Sequence, residues 1–238
     1  MSANDPTETR WTLIARAASE EVPDPGALNE WMVHYLPVLH GFVRRLPVLD
    51  EGAGEDLVQS FVQKRILEKQ LLQKADASKG RFRTFLFRSF QNHIRDELRR
   101  QRASRRSPGD GNLMSFEEVE SGVGRHSEME RTFHVAWIRH LLDDACGRME
   151  KQCRSTGRLD CWFVFEARLQ APMLEGAEPV SYAEVVKHLG LASPTQASNL
   201  LITAKRMLRK HLEDVIRETV EDPDDLSEEW TFLKQVLE

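Results

Sequence analysis

Apolar residues recur along this chain at intervals of three and four, and no stretch sustains the two-residue alternation of a strand. The pattern predicts an all-α protein. Residues 10–20 (RWTLIARAASE) read as a short helix that stops before Pro23 and Pro25. From Leu28 to Leu46, Trp31, Tyr35, Leu39, Phe42 and Val43 fall at helical spacing, and Pro47 ends the run. A third helix is expected from about Glu55 to Leu72, and a fourth over 82–102. Periodicity then lapses from Ser104 to Ser127, where SRRSPGDGN and SGVGRHS are turn-rich and only LMSF is apolar. That stretch reads as a flexible interdomain linker, because compact domains rarely hold so long a structureless loop. Beyond it Trp137, Ile138, Leu141, Leu142, Ala145 and Met149 form an amphipathic stripe, and a shorter apolar helix follows around Trp162 to Leu169.

The stretch SYAEVVKHLGLASPTQASNLLITAKRMLRKHL (181–212) holds two helix starts. Ser181 with Glu184 has capping-box spacing, and Ser193 precedes Pro194, a residue suited to the first helical position. Gly190 between them sits where a helix end needs positive φ. Helix, glycine turn, helix is the helix-turn-helix layout. On the second helix Ala197, Leu201, Ala204 and Leu208 face inward, while Thr195, Gln196, Ser198, Asn199, Thr203 and Arg206 face outward, with Lys205, Arg209 and Lys210 further along. Base-edge readers ahead of phosphate-binding cations suit a recognition helix, although a helical hairpin with no ligand has the same outline.

Charge sharpens this picture because it is sorted. The 238 residues carry a net charge of -5, yet residues 79–106 gather ten Lys and Arg against two acids, with four Phe interleaved. On a helical wheel Phe82, Leu86, Phe90 and Ile94 share one side, and Arg88, Arg95, Arg99 and Arg102 the other. The aromatics anchor the helix and the arginines form a stripe suited to a polyanion. A merely solvated face is the alternative, but such faces usually alternate sign, and here only Asp96 and Glu97 oppose the run. Ahead of the helix, Ser78, Lys79 and Arg81 surround Gly80 in a polar loop able to hold an extruded base.

Composition narrows the function classes. Mean hydropathy is -0.49. No apolar run reaches the roughly 18 residues of a membrane helix, and Met1 to Glu20 has no signal-peptide core, so a cytoplasmic protein without membrane contact is expected. Cys146, Cys153 and Cys161 fit neither a disulfide framework nor CxxC spacing and read as reduced thiols on helix faces, with a metal site shared with His140 as the alternative. The acidic pairs Asp143–Asp144 and Glu117–Glu118 are adjacent, so on a helix each pair diverges by about 100° and cannot converge on one metal. No nucleotide-binding, zinc-protease or serine-hydrolase motif appears. A non-catalytic protein without cofactor or metal is expected.

Two helical modules with nucleic-acid features, joined by a linker, resemble the extracytoplasmic-function (ECF) sigma factors of bacterial RNA polymerase. EDLVQSFVQKRILEK (55–69) is similar to their region 2.2, and FLFRSFQNHIRDELRR (85–100) aligns on W-L-x-R-I-A-x-N-x-x-x-D-x-L-R-R through Leu86, Arg88, Asn92, Asp96, Leu98, Arg99 and Arg100. Residues 181–212 resemble region 4.2. The resemblance covers about 28–103 and 131–215 and implies five parts: an N-terminal extension (1–27), a region 2-like domain (28–103), a linker (104–130), a region 4-like helix-turn-helix domain (131–220) and an acidic tail (221–238).

It further implies a factor that binds core polymerase at the β′ clamp helices and the β flap, and directs promoter-specific initiation. Asp56 and Gln59 would dock on the clamp; Lys79, Arg81, Arg88, Asn92, Arg95, Arg99 and Arg102 would engage the minus-ten element. Thr195, Gln196, Ser198, Asn199, Thr203, Arg206 and Lys210 would engage the minus-thirty-five element. Two departures stand out: Ser60 occupies a position often acidic in the family, and Ser198, Leu200 and Thr203 replace basic residues of the recognition helix. A stand-alone helix-turn-helix regulator that binds duplex DNA without polymerase is the alternative. The tail carries ten acids from Glu213 to Glu238 against Arg217 and Lys234, with Leu226, Trp230, Leu233 and Leu237 at helical spacing. It is able to pack on its own domain, cover a basic face of its own chain, or bind a partner such as an anti-sigma protein.

Overall fold

A computed structural model describes residues 10–19, 24–46, 51–68, 70–104, 126–220, 222 and 225–237; side chains at 51, 101–104, 126–127, 174–175 and 237 are not among those described. The described residues are helical with no strand, as the spacing predicts. They form two compact units, one within Met1–His140 and Arg217–Glu238, the other Leu141–Ile216. The linker expected at 104–130 lies outside the described residues over 105–125.

The first unit contains α1 (Arg10–Ala17), α2 (Pro25–Val43), α3 (Glu51–Phe61) and α4 (Phe82–Ser104). It also holds the opening half of α5 (His126–Ser155) and a last helix, α10 (Leu226–Leu237). Asp24 starts α2 by accepting the Ala27 N–H at 2.9 Å, one of the four amides a helix start leaves unpaired. The core is aromatic: Phe42 meets Phe87, Phe90 and Phe133 edge-on at 5.6–6.2 Å, and Phe61 meets Phe90 at 4.9 Å. Such pairs add to area burial because ring edges and faces carry opposite partial charge.

After Phe61 the third helix widens into π-helical turns over Val62–Leu67. In an α-helix residues five apart diverge, but the wider turn brings Phe61 and Ile66 both into the core, at 0% and 5% exposure.

The second unit contains the rest of α5, then α6 (Leu159–Phe165), which continues through π-helical Glu166–Gln170 into α7 (Ala171–Glu175). It closes with α8 (Tyr182–Leu189) and most of α9 (Pro194–Thr219). Met149, Cys153, Cys161, Phe165 and Ala204 form one buried cluster, and Val164, Val185, Ala197 and Leu201 another. All three cysteines are free. Burial pushes their thiols up, Cys146 to about 11, so they behave as apolar filler.

The partition departs from the boundaries read off the sequence at both edges of the second module. Helix α5 is continuous, but Met129, Phe133 and Trp137 belong to the first unit while Met149 and Cys153 belong to the second. Residues 217–220 and the tail also group with the first unit, because α10 finds its partners there.

Candidate nucleic-acid interface

Helix α4 divides as its periodicity demands. Phe82, Leu86, Phe87, Phe90, Ile94 and Leu98 are at most 5% exposed, whereas Arg88, Asn92, Arg99 and Arg100 are exposed and Arg95 is half-buried. Arg95 donates to Asn92 Oδ1 at 3.4 Å, so Arg88, Asn92, Arg95 and Arg99 follow one face. The side chain of Arg102 lies outside the described residues.

The two acids of the basic stretch do not neutralise that face. Asp96 is bound by Arg65, and Glu97 accepts Lys64 Nζ at 2.7 Å, with Arg100 Nη1 at 2.5 Å on the same oxygen. Burial raises the Glu97 carboxyl, but the bond and charge of Lys64, with Arg100, outweigh it and leave the group below its ordinary value. Between these bridges lies His93, fully buried. Arg65 Nε points at His93 Nδ1 (3.5 Å), which assigns the ring proton to Nε2, where it donates to Ser60 Oγ at 2.6 Å. Burial pushes the imidazole down to about 4, so it is neutral near pH 7. Ser60, a departure from the family pattern, is thus the partner of a buried ring, a role spacing alone does not reveal.

The turn before α4 is built rather than loose. Asp76 Oδ1 accepts the Ser78 N–H (3.0 Å) and hydroxyl (2.6 Å), and Asp76 Oδ2 pairs with Lys79 Nζ at 3.0 Å. Gly80 follows at φ 119°, a conformation L side chains rarely adopt. Ser78 and Lys79 are exposed, but Arg81 is not free. It pairs with Glu229 at 2.5 Å and Glu228 at 2.9 Å on α10. Arg83, which sequence reading did not single out, is buried against Glu229 at 2.5 and 2.6 Å, with its guanidinium 3.9 Å above the Phe232 ring. Burial pulls the Arg83 guanidinium below its ordinary value, and the Glu229 carboxylate offsets this.

On α3, Asp56 and Gln59 are both exposed. Gln59 borders an open, mostly apolar hollow of about 280 Å³ whose lining includes Leu36, Val58, Val62 and Leu67. Residues 31–104 match the Sigma-70 region 2 family. The matched segment runs from Trp31 in α2 to the end of α4, so it takes in the hollow, the turn and the arginine face together. No curated protein and no solved structure matches the chain.

In the second unit the capping box at Ser181 and the glycine turn at Gly190 are both formed. Ser181 Oγ accepts the Glu184 N–H at 3.2 Å, Glu184 Oε2 accepts the Ser181 N–H at 3.0 Å, and Gly190 closes α8 at φ 63°. Ala197, Leu201 and Ala204 are buried and Leu208 is half-buried. Thr195, Gln196, Asn199, Arg206 and Lys210 are exposed, with Ser198 and Thr203 half-buried. Two expected readers have local bonds: Gln196 Oε1 accepts the Ala192 N–H at 2.8 Å, and the Thr203 hydroxyl donates to the Asn199 carbonyl at 2.9 Å. Arg168 ties the segment before α8 to this unit by donating to the Val180 carbonyl and stacking 3.8 Å above Tyr182.

Among the described residues no helix is long and apolar enough to cross a membrane, and no cluster of His, Cys, Asp and Glu is placed to hold a metal ion. Asp144 pairs with Arg148 at 3.0 Å, while Glu117 and Glu118 lie outside the described residues.

Proposed function

We propose that this chain is an ECF-type sigma factor: a non-catalytic, cytoplasmic subunit that binds core RNA polymerase and directs it to promoters. Docking on the β′ clamp helices falls to α3 through Asp56, Gln59 and the neighbouring hollow. The minus-ten element falls to Lys79, Arg81, Arg88, Asn92, Arg95, Arg99 and Arg102, where cations hold the strands and the turn at Gly80 receives an unstacked base. The minus-thirty-five element falls to α9 in duplex form, with Asn199 on bases and Arg206 and Lys210 on phosphates. The observation that carries this reading is the coincidence of the region 2 match with an arginine face whose nearby acids are engaged elsewhere.

Run-off transcription with bacterial core polymerase, on fragments from upstream of the chain's own gene and beside a core-binding assay, tests it. Protein-dependent transcripts from a defined start are expected; failure to bind core overturns the reading. The region 2 match ends at residue 104 and the helix-turn-helix has its own core, which favours a stand-alone regulator as the second reading. Such a protein would shift duplex DNA on a gel without polymerase and fail to bind core.

A further inference from the structure

We propose that α10 is an acidic latch on the minus-ten face, its carboxylates occupying at Arg81 the place a DNA phosphate would take. The inference rests on the proposed role of the turn and α4, and adds a competitor carried by the same chain. Arg81 is the residue where the turn passes into α4, and three acids of the last segment surround it: Glu229 at 2.5 Å, Glu228 at 2.9 Å and Asp225 at 3.8 Å. A guanidinium ringed by carboxylate oxygens is satisfied as it would be by phosphate oxygens, so the two are mutually exclusive ligands.

The latch has a fixed part and a part able to let go. Glu229 is 2% exposed and shared with buried Arg83, while Phe232 packs between the Arg83 guanidinium and the edge of His134, ring centroids 4.8 Å apart. Leu233 is buried beside them on the helix. This inner layer holds α10 to its unit. The outer layer is weaker, because the side chains of Glu228 and Asp225 are 73% and 46% exposed and surface ion pairs contribute little. Beside it an open hollow of about 620 Å³ is lined by Trp11, Gly80, Arg81, Val220, Asp222 and Asp225, with room for a polyanion to approach the guanidinium from solvent. A strand arriving there displaces Glu228 and Asp225 while Glu229 keeps the helix in place.

The test uses the full chain with Asp225→Asn and Glu228→Gln together, leaving Glu229 intact so that the fold is retained, and a fluorescently labelled single-stranded DNA of mixed sequence. Affinity for the strand should rise by about fivefold or more, the range of ordinary coupling between competing ligands, with the melting temperature unchanged. Adding Arg81→Ala should erase the gain. Equal affinity in wild type and variant, or a gain that survives Arg81→Ala, overturns the latch. Core binding measured on the same samples separates the two ideas. A gain without core binding keeps the latch and removes the sigma reading, and core binding without a gain does the reverse.

Discussion

Helices α4 and α9 are both amphipathic and both carry expected DNA contacts, yet they meet solvent differently. Helix α4 is held by a wall of phenylalanines and presents Arg88, Arg95 and Arg99, with Asp96 and Glu97 drawn off to Arg65 and Lys64. Helix α9 is held by alanines and leucines and presents Thr195, Gln196 and Asn199 before its first exposed cations, Lys205 and Arg206. A face rich in cations attracts phosphates regardless of sequence, whereas short polar side chains near a helix start discriminate base edges. Under the proposed function the difference assigns grip mainly to the first unit and discrimination mainly to the second.

The surest way to break this comparison is to remove the wall behind α4. Phe90→Ala should cost the first unit about 3–5 kcal/mol, because the ring is fully buried against Phe42 and Phe61. Urea unfolding followed by circular dichroism would show it; an unchanged midpoint would mean that the aromatic core does not set the stability of that unit. Next in size is the stripe itself. Arg95→Ala with Arg99→Ala should lower open-complex formation about tenfold or more while core binding stays intact, since each charge-assisted bond is worth about 1.5–3 kcal/mol. Arg206→Ala with Lys210→Ala should flatten the slope of log affinity for duplex DNA against log salt by about 1 per residue and leave base preference unchanged, the mark of lost phosphate contacts. A changed base preference would mean that these cations discriminate as well as grip.

A smaller effect sharpens the other side. Asn199→Ala should lose about 1–3 kcal/mol of discrimination at one position of the duplex element, read by competition among single-base variants. Gln196→Ala should cost helix stability rather than specificity, because its carbonyl oxygen already caps the Ala192 N–H. A separate effect is set by pH. The unfolded chain protonates His93 near 6.5, and the folded chain resists until about 4. Stability from this group is therefore complete above 6.5 and drains as pH falls through that window, by at most about 1.4 kcal/mol per unit. His134 adds the same sign, since burial, helped by Arg83, pushes it to about 4. A stability profile from pH 7 to 4 that His93→Gln does not flatten would remove His93 from this account.

Much of this was legible in the chain because it is local. The sidedness of α4, the Ser181–Glu184 box and the Gly190 turn all follow from residues within a few positions of one another. What sequence could not place depends on distance. Arg83 finds Glu229 146 positions away, and Lys64 and Arg65 find the acids of α4 across 33 and 31 positions. Charge alone shows that Asp96 and Glu97 are outnumbered but not that they are engaged with another helix, and it leaves the tail with three destinations. Gln196 shows the opposite case: a bond only four residues long occupies an oxygen that an outward position leaves looking available.

The π-helical stretch bears on chain length. Between Phe61 and Ile66 the chain is one residue longer than an α-helix needs to bring both side chains to the same side. Insertions and deletions, not substitutions, are what such a place tolerates: dropping one residue there would tighten the turn and leave Phe61 and Ile66 facing inward. Elsewhere in a regular helix the same loss would swing every later side chain by about 100°. A helix with that spare residue can change the spacing of its outer side chains while its inner ones stay put.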